Sequence, residues 1–173
     1  MNATTVKVLY IDDEENNLHA FKAGFRRQYE IYTAISAADG LKILENVAVH
    51  VVIADQRMPE ITGVEFFKSI TETYPDPTRI LLTGYTDIEA LADAINHGHI
   101  YRYITKPWNE LELHNSIKNA YDAYKAKIDL RNKVAELEKT NDELNRFIYS
   151  ISHELRAPLV SVIGIVNLVK MED

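Results

Sequence analysis

The chain has 173 residues, of which 46% are hydrophobic, and its formal net charge is −7. This length suits one full domain with an extension, and no stretch approaches the roughly 18 consecutive apolar residues of a membrane span. Cysteine is absent, which excludes disulfides and thiolate chemistry, and the start of the chain does not resemble a signal peptide, so we expect a cytoplasmic protein.

The negative charge is confined to the first part of the chain. Residues 1–124 contain 11 Lys and Arg against 18 Asp and Glu, whereas residues 125–173 contain 8 of each kind. Neutralisation of phosphates by basic side chains supplies most of the affinity of proteins for nucleic acid. We therefore expect no direct nucleic-acid binding by this chain.

Short apolar runs alternate with helical patterns up to residue 107. The runs are VKVLYI (6–11), EIYTAI (30–35), HVVIA (50–54), RILLT (79–83) and IYRYIT (100–105). Five strands separated by four helices predict βαβ units and a parallel sheet, which is an α/β fold.

Four helix starts are marked by a small polar residue that is followed three positions later by an acid. Such a pair can satisfy two backbone N–H donors in the first turn of a helix. The pairs are Ser36 with Asp39, Thr62 with Glu65, Thr86 with Glu89, and Asn109 with Glu112.

A single long helix is predicted after Asn109, because neither proline nor glycine interrupts the chain before Pro158. Its later apolar positions alternate spacings of four and three residues, which is a heptad seam. The seam consists of Leu130, Val134, Leu137, Asn141, Leu144, Ile148, Ile151 and Leu155. An Asn at one a position favours a parallel two-stranded register. We expect a parallel homodimer through a coiled coil; the alternative is a single helix lying on another domain.

Polar side chains follow the predicted strands at the end where an open parallel sheet binds its ligands. These residues are Asp12, Asp13, Asp55, Thr83 and Lys106. Three carboxylates that converge without a counter-ion would repel one another, so we expect a raised pKa or a bound cation. Oxygen ligands without nearby His or Cys favour Mg²⁺. The layout suits a carboxylate that accepts a phosphoryl group, with Lys106 and the Thr83 hydroxyl contacting its oxygens.

Four stretches resemble a known family. YIDDEEN (10–16), ADQRMPEITG (54–63), LLTGYTD (81–87) and YRYITKPW (101–108) are similar to the receiver domain of bacterial response regulators, and the resemblance covers residues 4 to about 124. It implies a flavodoxin-like, doubly wound sheet with strand order 2-1-3-4-5. Taken singly, each residue has an ordinary alternative as a cap or turn residue; their order at successive strand ends favours one shared site.

The resemblance also implies a role for each residue. Asp55 would be phosphorylated, and Asp12, Asp13, Asp55 and the backbone carbonyl of Arg57 would hold Mg²⁺. The phosphodonor would be a histidine kinase or a phosphotransfer protein.

Two further residues have implied roles in signal transmission. Thr83 would contact the phosphoryl group together with Lys106, and Tyr103 would be the switch aromatic whose rotamer follows Thr83. The alternative for Tyr103 is packing, because an aromatic on the last strand is ordinarily half-buried. Trp108 is interpreted as a packing residue.

The stretch FIYSISHELRAPL (147–159) carries a second resemblance. On the heptad assignment, His153 and Glu154 lie outside the seam, so the alternative is a solvated histidine. The stretch is similar to the phosphoacceptor box of the dimerisation and phosphotransfer domain of histidine kinases. His153 would then be a phosphoacceptor and Glu154 its base. Ala157 stands where that family often has Thr or Asn to position a water for phosphatase action.

These resemblances divide the chain into a receiver at 1–124, a coiled-coil linker at 125–148, and an incomplete first helix of the dimerisation domain at 149–173. The last stretch, LVSVIGIVNLVKM (159–171), is apolar nearly all round and predicts burial against further helices. No Gly-rich nucleotide loop is present, so the ATP-binding kinase domain is expected elsewhere in the parent protein, and this chain is not expected to phosphorylate itself from ATP.

The leading hypothesis is a fragment of a hybrid histidine kinase, an enzyme in which phosphorylation of Asp55 biases the helix that carries His153. One alternative is a response regulator whose dimerisation tail leads to another output, such as a cyclic-dinucleotide enzyme. Another is an aspartate-nucleophile hydrolase, for which Asp12 and Glu14 would be the two acids separated by one residue.

Overall fold

The computed structural model describes residues 5–84 and 100–169. Within these residues the elements follow one another as β1 Lys7–Ile11, α1 Glu15–Phe25, β2 Glu30–Ala34, α2 Ala37–Asn46, β3 Val51–Asp55, α3 Gly63–Ile70, β4 Thr78–Thr83, β5 Arg102–Thr105 and α4 Glu110–Val169.

The five strands form one parallel sheet in the order β2-β1-β3-β4-β5. This confirms the predicted flavodoxin-like α/β fold and its strand order. The register sets the strand ends level with one another: Ile11 pairs with Ala54, Asp55 with Leu82, and Thr83 with Thr105. Residues that directly follow these strands therefore meet at one edge of the sheet.

The sheet is buried on both faces, which explains the continuous apolar runs in the sequence. One face packs on α1 and the start of α4, and the other packs on α2 and α3. Side chains alternate between the two cores along each strand. The first core receives Val8, Tyr10, Val51, Ile53, Ile80 and Leu82, and the second receives Leu9, Ile11, Val52, Ala54 and Leu81.

The predicted helix caps form wherever the structure describes them. The side chains of Ser36, Thr62 and Asn109 each accept a backbone N–H from the first turn of their helix, at 3.1, 3.2 and 2.8 Å. Among the three pairs that the structure describes, the one at Thr62 is a full capping box. The predicted pair at Thr86 lies outside the described residues.

Helix α4 confirms the predicted long C-terminal helix and continues through Pro158. Its first turns pack Leu113, Ile117 and Ala120 onto the sheet. The chain divides into two compact units, residues 1–128 and 129–173, and every residue from 129 to 164 is exposed. The coiled coil and the homodimer stay predictions. No described helix combines the length and the hydropathy that a bilayer crossing requires.

Candidate functional site

Four of the predicted site residues meet at the carboxyl edge of the sheet. Asp12 follows β1, Asp55 ends β3, Thr83 ends β4 and Lys106 follows β5. Asp12 and Thr83 are each only 1% exposed, and Asp55 is 8% exposed. The backbone N–H of Lys106 donates to the Thr83 carbonyl at 2.8 Å, which extends the strand pairing past the end of β5 and holds the lysine at this edge.

The Lys106 ammonium group lies between two buried carboxylates. Its Nζ is 3.0 Å from Oδ2 of Asp12 and 2.7 Å from Oδ1 of Asp55. The expected repulsion between these carboxylates is thus relieved by a lysine of the same chain. One ammonium cannot neutralise two carboxylates, so the site keeps a net negative charge that favours a further cation.

Asp12 accepts hydrogen bonds from four groups. Its Oδ1 accepts the backbone N–H of Glu14 and the side-chain amide of Asn17, both at 3.0 Å. Its Oδ2 accepts the Tyr10 hydroxyl, the Asn17 amide at 3.1 Å and the Lys106 ammonium. Sequence reasoning missed Tyr10 and Asn17. Tyr10 lies on β1 and Asp12 directly follows that strand two positions later, so the alternation of side chains along extended backbone was the available signal.

The pKa values of the two buried carboxyls move in opposite directions. Burial opposes ionisation of Asp12, but hydrogen bonds from Tyr10, Glu14 and Asn17 hold its pKa below the usual value. At Asp55 burial is the larger effect and raises the pKa, although Lys106 opposes it. Opposite shifts of this kind separate the roles of paired acids: Asp12 stays ionised, whereas Asp55 is the more basic carboxylate.

The pKa of Lys106 is raised above its usual value. Burial opposes its positive charge, but its hydrogen bonds with Asp55 and Asp12 and their negative charges outweigh that effect. Lys106 therefore stays protonated and can stabilise an anion at this edge.

The backbone around Asp55 is held by the loop that follows it. Oδ2 of Asp55 accepts the N–H of Arg57 at 3.1 Å, and the N–H of Gly63 donates to the Gln56 carbonyl at 3.1 Å. A Cβ on Gly63 would lie 2.4 Å from the carbonyl oxygen of Asp55. The first residue of α3 must therefore be glycine for this loop to close.

The donor set at this edge fits a divalent cation. Carboxylate and carbonyl oxygens are the ligands that Mg²⁺ prefers, and the place between Asp12 and Asp55 already stabilises one cationic group, the ammonium of Lys106. Asp13 is exposed beside Asp12, and Arg57 is bonded to Asp55 through its N–H. Within residues 5–84 and 100–169, no three or more His, Asp or Glu side chains form a ready metal cluster.

The proposed switch residues lie on neighbouring strands without a described contact between them. The Thr83 hydroxyl donates to the Gly84 carbonyl at 3.2 Å. Tyr103 is 36% exposed on β5, two positions before Thr105, which pairs with Thr83. The switch role of Tyr103 stays a prediction.

Trp108 is a packing residue, as interpreted from the sequence. Its ring centroid lies 6.4 Å from that of Phe21 and 6.1 Å from that of Phe25, at the margin of the core that α1 and α4 share. The tryptophan therefore fixes the start of α4 against α1.

His153 and Glu154 lie on the exposed part of α4, in the second unit. Glu154 is 3.5 Å from the Ser150 hydroxyl, one helical turn earlier. The phosphoacceptor role of His153 stays a prediction.

The chain is similar to proteins of two-component signalling. The sequence profile of the response regulator receiver domain matches residues 8–118. The hydrogenase transcriptional regulatory protein HoxA of Bradyrhizobium diazoefficiens is 32% identical over 141 residues, which are 82% of this chain and 29% of that protein. The transcriptional regulatory protein GlrR of Escherichia coli is 29% identical over 123 residues, 70% of this chain and 28% of that protein. The chain thus spans less than a third of these relatives.

A solved structure agrees with these sequence matches. A response regulator receiver domain protein from Clostridium thermocellum superposes with a TM-score of 0.66 at 32% identity, over 70% of this chain and 98% of that one. The similarity therefore includes the fold as well as the sequence.

The prediction that the parent protein is a histidine kinase is wrong. The relatives HoxA and GlrR are named as transcriptional regulatory proteins, and the family match ends at residue 118. The physical reason is that the site residues determine phosphoacceptor chemistry, which is compatible with many outputs. The kinase assignment depended on residues 147–159, a short exposed stretch of one helix that has no core of its own.

Proposed function

The chain belongs to the response regulator receiver domain family, and we propose that it accepts a phosphoryl group on Asp55 from a histidine kinase or a phosphotransfer protein. The observation that carries this proposal is the bridge that Lys106 makes between Asp12 and Asp55. It joins a basic carboxylate, an ionised carboxylate and an ammonium group in one place.

The chemistry assigned to Asp55 is nucleophilic. An oxygen of its ionised carboxylate forms a bond to phosphorus while the phosphorus–nitrogen bond of a phosphohistidine donor breaks. The departing imidazole keeps the electron pair and takes up a proton. Burial raises the pKa of Asp55, which makes its ionised oxygen a stronger base and a better nucleophile.

Lys106 stabilises the charge of the group being transferred. Its ammonium is 2.7 Å from Asp55, so it lies within hydrogen-bonding reach of a phosphoryl group attached there. A fixed cation in a partly buried site lowers the energy of developing negative charge without reorganisation. On phosphorylation, the Lys106 ammonium would give up its contact with Asp12 and contact a phosphoryl oxygen instead.

We infer that Mg²⁺ is held by Asp12, Asp13, Asp55 and the carbonyl of Arg57. When bound, the ion neutralises charge on the phosphoryl oxygens. The role of the protein is to keep Asp12 ionised, through the donors around it, and to present Asp55 beside it.

Thr83 and Tyr103 are proposed to transmit the phosphorylated state. The Thr83 hydroxyl now donates to the neutral Gly84 carbonyl at 3.2 Å, and a charged phosphoryl oxygen would be the stronger acceptor. A turn of this hydroxyl toward Asp55 would change the space beside β5, where Tyr103 is partly exposed.

We further propose that the exposed part of α4 forms a parallel coiled-coil homodimer. Large apolar side chains at the heptad positions are accessible, with Leu137 68% and Leu144 54% exposed. A second copy would cover this surface, and burial of apolar area contributes about 25 cal/mol per Å². Phosphorylation would then act on a dimer whose output lies elsewhere in the protein, and control of transcription is the output suggested by the names of HoxA and GlrR.

The assignment of His153 as a second phosphoacceptor, with Glu154 as its base, is also a proposal. It is supported by the exposure of both residues and by their adjacency, which would allow the carboxylate to accept a proton from the imidazole. We expect the wild-type chain to carry a phosphate that is labile in acid and stable in base, and we expect His153→Gln to lack it. If the wild-type chain carries no such phosphate, the proposed role of His153 is rejected.

Labelling with a small phosphodonor tests the principal proposal. The chain is incubated with Mg²⁺ and acetyl phosphate, and the attached phosphate is measured by intact mass. We expect labelling of the wild type and of Asp129→Asn, an exposed control on α4, and no labelling of Asp55→Asn. Equal labelling of Asp55→Asn and the wild type would show that another residue is the acceptor.

A further inference from the structure

We propose that Tyr10 acts on this site through Asp12: its hydroxyl donates to the carboxylate from within the core and thereby limits the affinity of the edge for Mg²⁺. The inference rests on the proposed function, because it concerns the metal site named there. It assigns a role to a residue of the apolar core.

The position of the Tyr10 hydroxyl is fixed by the packing of its ring. The residue is fully buried on β1, and its ring centroid is 4.6 Å from that of Phe21, which packs in turn on Phe25 at 4.8 Å. A ring enclosed in this way cannot swing aside when the charge at the site changes. The hydroxyl therefore approaches Oδ2 of Asp12 from the core side.

The hydroxyl is the donor in this contact, because an ionised carboxylate can only accept. The hydrogen bond to Asp12 is therefore charge-assisted, a class roughly twice as strong as neutral hydrogen bonds.

The orientation of Asp12 does not depend on Tyr10. The N–H of Glu14 holds Oδ1, the amide of Asn17 contacts both oxygens, and Lys106 contacts Oδ2. If the hydroxyl were removed, neither oxygen would lose its last donor. The distinct contribution of Tyr10 is electrostatic, since its O–H dipole directs positive charge at Oδ2.

A donor of this kind weakens the attraction between the carboxylate and a cation. Hydrogen bonds to a carboxylate lower its affinity for a proton, and the same electrostatics lower its affinity for a metal ion. Packing alone does not require the hydroxyl, because the ring that packs on Tyr10, at 4.6 Å between centroids, is that of Phe21, which has no polar group. The hydrogen bond from Tyr10 thus weakens the hold of this edge on Mg²⁺.

Calorimetric titration of the full chain with Mg²⁺ tests this role. Tyr10→Phe removes the hydroxyl and keeps the ring, and we expect it to bind Mg²⁺ about three- to tenfold more tightly than the wild type, because part of the strength of one charge-assisted bond no longer opposes the ion. The matched control is Tyr29→Phe, whose hydroxyl bonds His114 at 3.0 Å in the same core; its affinity should stay within about twofold of the wild type.

Unchanged or weaker binding by Tyr10→Phe would overturn the inference, since loss of a merely structural contact weakens a site or leaves it alone. Equal tightening by Tyr29→Phe would also overturn it. If the wild type binds no Mg²⁺, both this inference and the metal part of the proposed function fail; if only the effect of Tyr10→Phe is absent, the inference alone fails.

A second substitution covers the case in which Tyr10→Phe does not fold. Site-specific replacement of Tyr10 by 3-fluorotyrosine keeps the hydroxyl and makes it a stronger donor, so Mg²⁺ binding should become a few-fold weaker. Tighter or unchanged binding would contradict the proposed role.

Discussion

Gly63 lies so close to Asp55 that a methyl group on Gly63 would be 2.4 Å from the carbonyl oxygen of Asp55. The same methyl group would lie 2.6 Å from Cδ1 of Leu81, a core residue of β4. The approach of α3 to the end of β3 is therefore close enough to exclude every side chain. The backbone of the proposed phosphoacceptor can take this position because residue 63 has no Cβ atom.

Gly63→Ala should destabilise the chain by about 1–3 kcal/mol, because the added methyl group overpacks a backbone contact that cannot relax cheaply. It should also slow labelling of Asp55. Urea unfolding measures the first effect. Gly164→Ala is the control, since its Cβ would meet no atom within 4 Å, and it should be neutral or stabilising by up to about 1 kcal/mol. Equal stability of Gly63→Ala and the wild type would contradict the contact.

Lys106→Met should slow phosphorylation of Asp55 by on the order of 100-fold or more, because it removes the fixed cation nearest the transferred group. The rate is measured by intact mass during reaction with acetyl phosphate. Lys118→Met removes an exposed lysine from α4 and should react at the wild-type rate. A Lys106→Met rate within a few-fold of the wild type would show that the ammonium does not act on the reacting group.

Asp55→Asn should stabilise the fold at neutral pH. Burial raises the pKa of Asp55, so the folded chain holds this proton more tightly than the unfolded chain and loses stability as the pH rises through the folded-state pKa. Asparagine cannot ionise, so the variant should have the higher free energy of unfolding at pH 7, and the gain should shrink toward pH 4. Urea unfolding with EDTA present measures the free energy of unfolding at both pH values. An equal gain in stability at pH 4 and pH 7 would contradict the raised pKa of Asp55.

Asp12→Asn should show the opposite dependence on pH. Burial opposes the charge of Asp12, but its hydrogen bonds hold the pKa below the usual value, so its ionised form adds stability above the unfolded-state pKa. That stability is lost as the pH falls through the folded-state pKa. The variant should be less stable than the wild type at pH 7 and approach it in acid. Chemical unfolding in EDTA across this range gives the comparison, and a deficit that persists unchanged in acid would argue for a packing effect.

Leu144→Asp should weaken the proposed homodimer by on the order of 100-fold, because it places an unpaired charge in the heptad seam. Sedimentation equilibrium measures the dissociation constant. Tyr149→Asp places the same charge on an exposed residue outside the seam and should leave the constant near that of the wild type. A wild-type chain that stays monomeric at high concentration would reject the coiled coil.

The sequence was sufficient to predict the parallel sheet and the meeting of Asp12, Asp55, Thr83 and Lys106. Both follow from local patterns, because parallel strands of similar length end at the same edge. The strand order was predicted from the resemblance to the receiver family. The long helix was equally predictable, because it required only the absence of glycine and proline between residues 109 and 158. The kinase assignment failed because it depended on a short motif in an exposed helix, and no packed domain surrounds that motif in the described part of the chain.

Side-chain partnerships at the site required the folded chain. Lys106 contacts Asp12 across 94 positions of sequence, and no local pattern predicts that this lysine bridges two carboxylates. The donors around Asp12 and the burial of Asp55 then drive their pKa values apart. Such shifts depend on distances between atoms and on the exclusion of water, and both arise only when distant segments pack together.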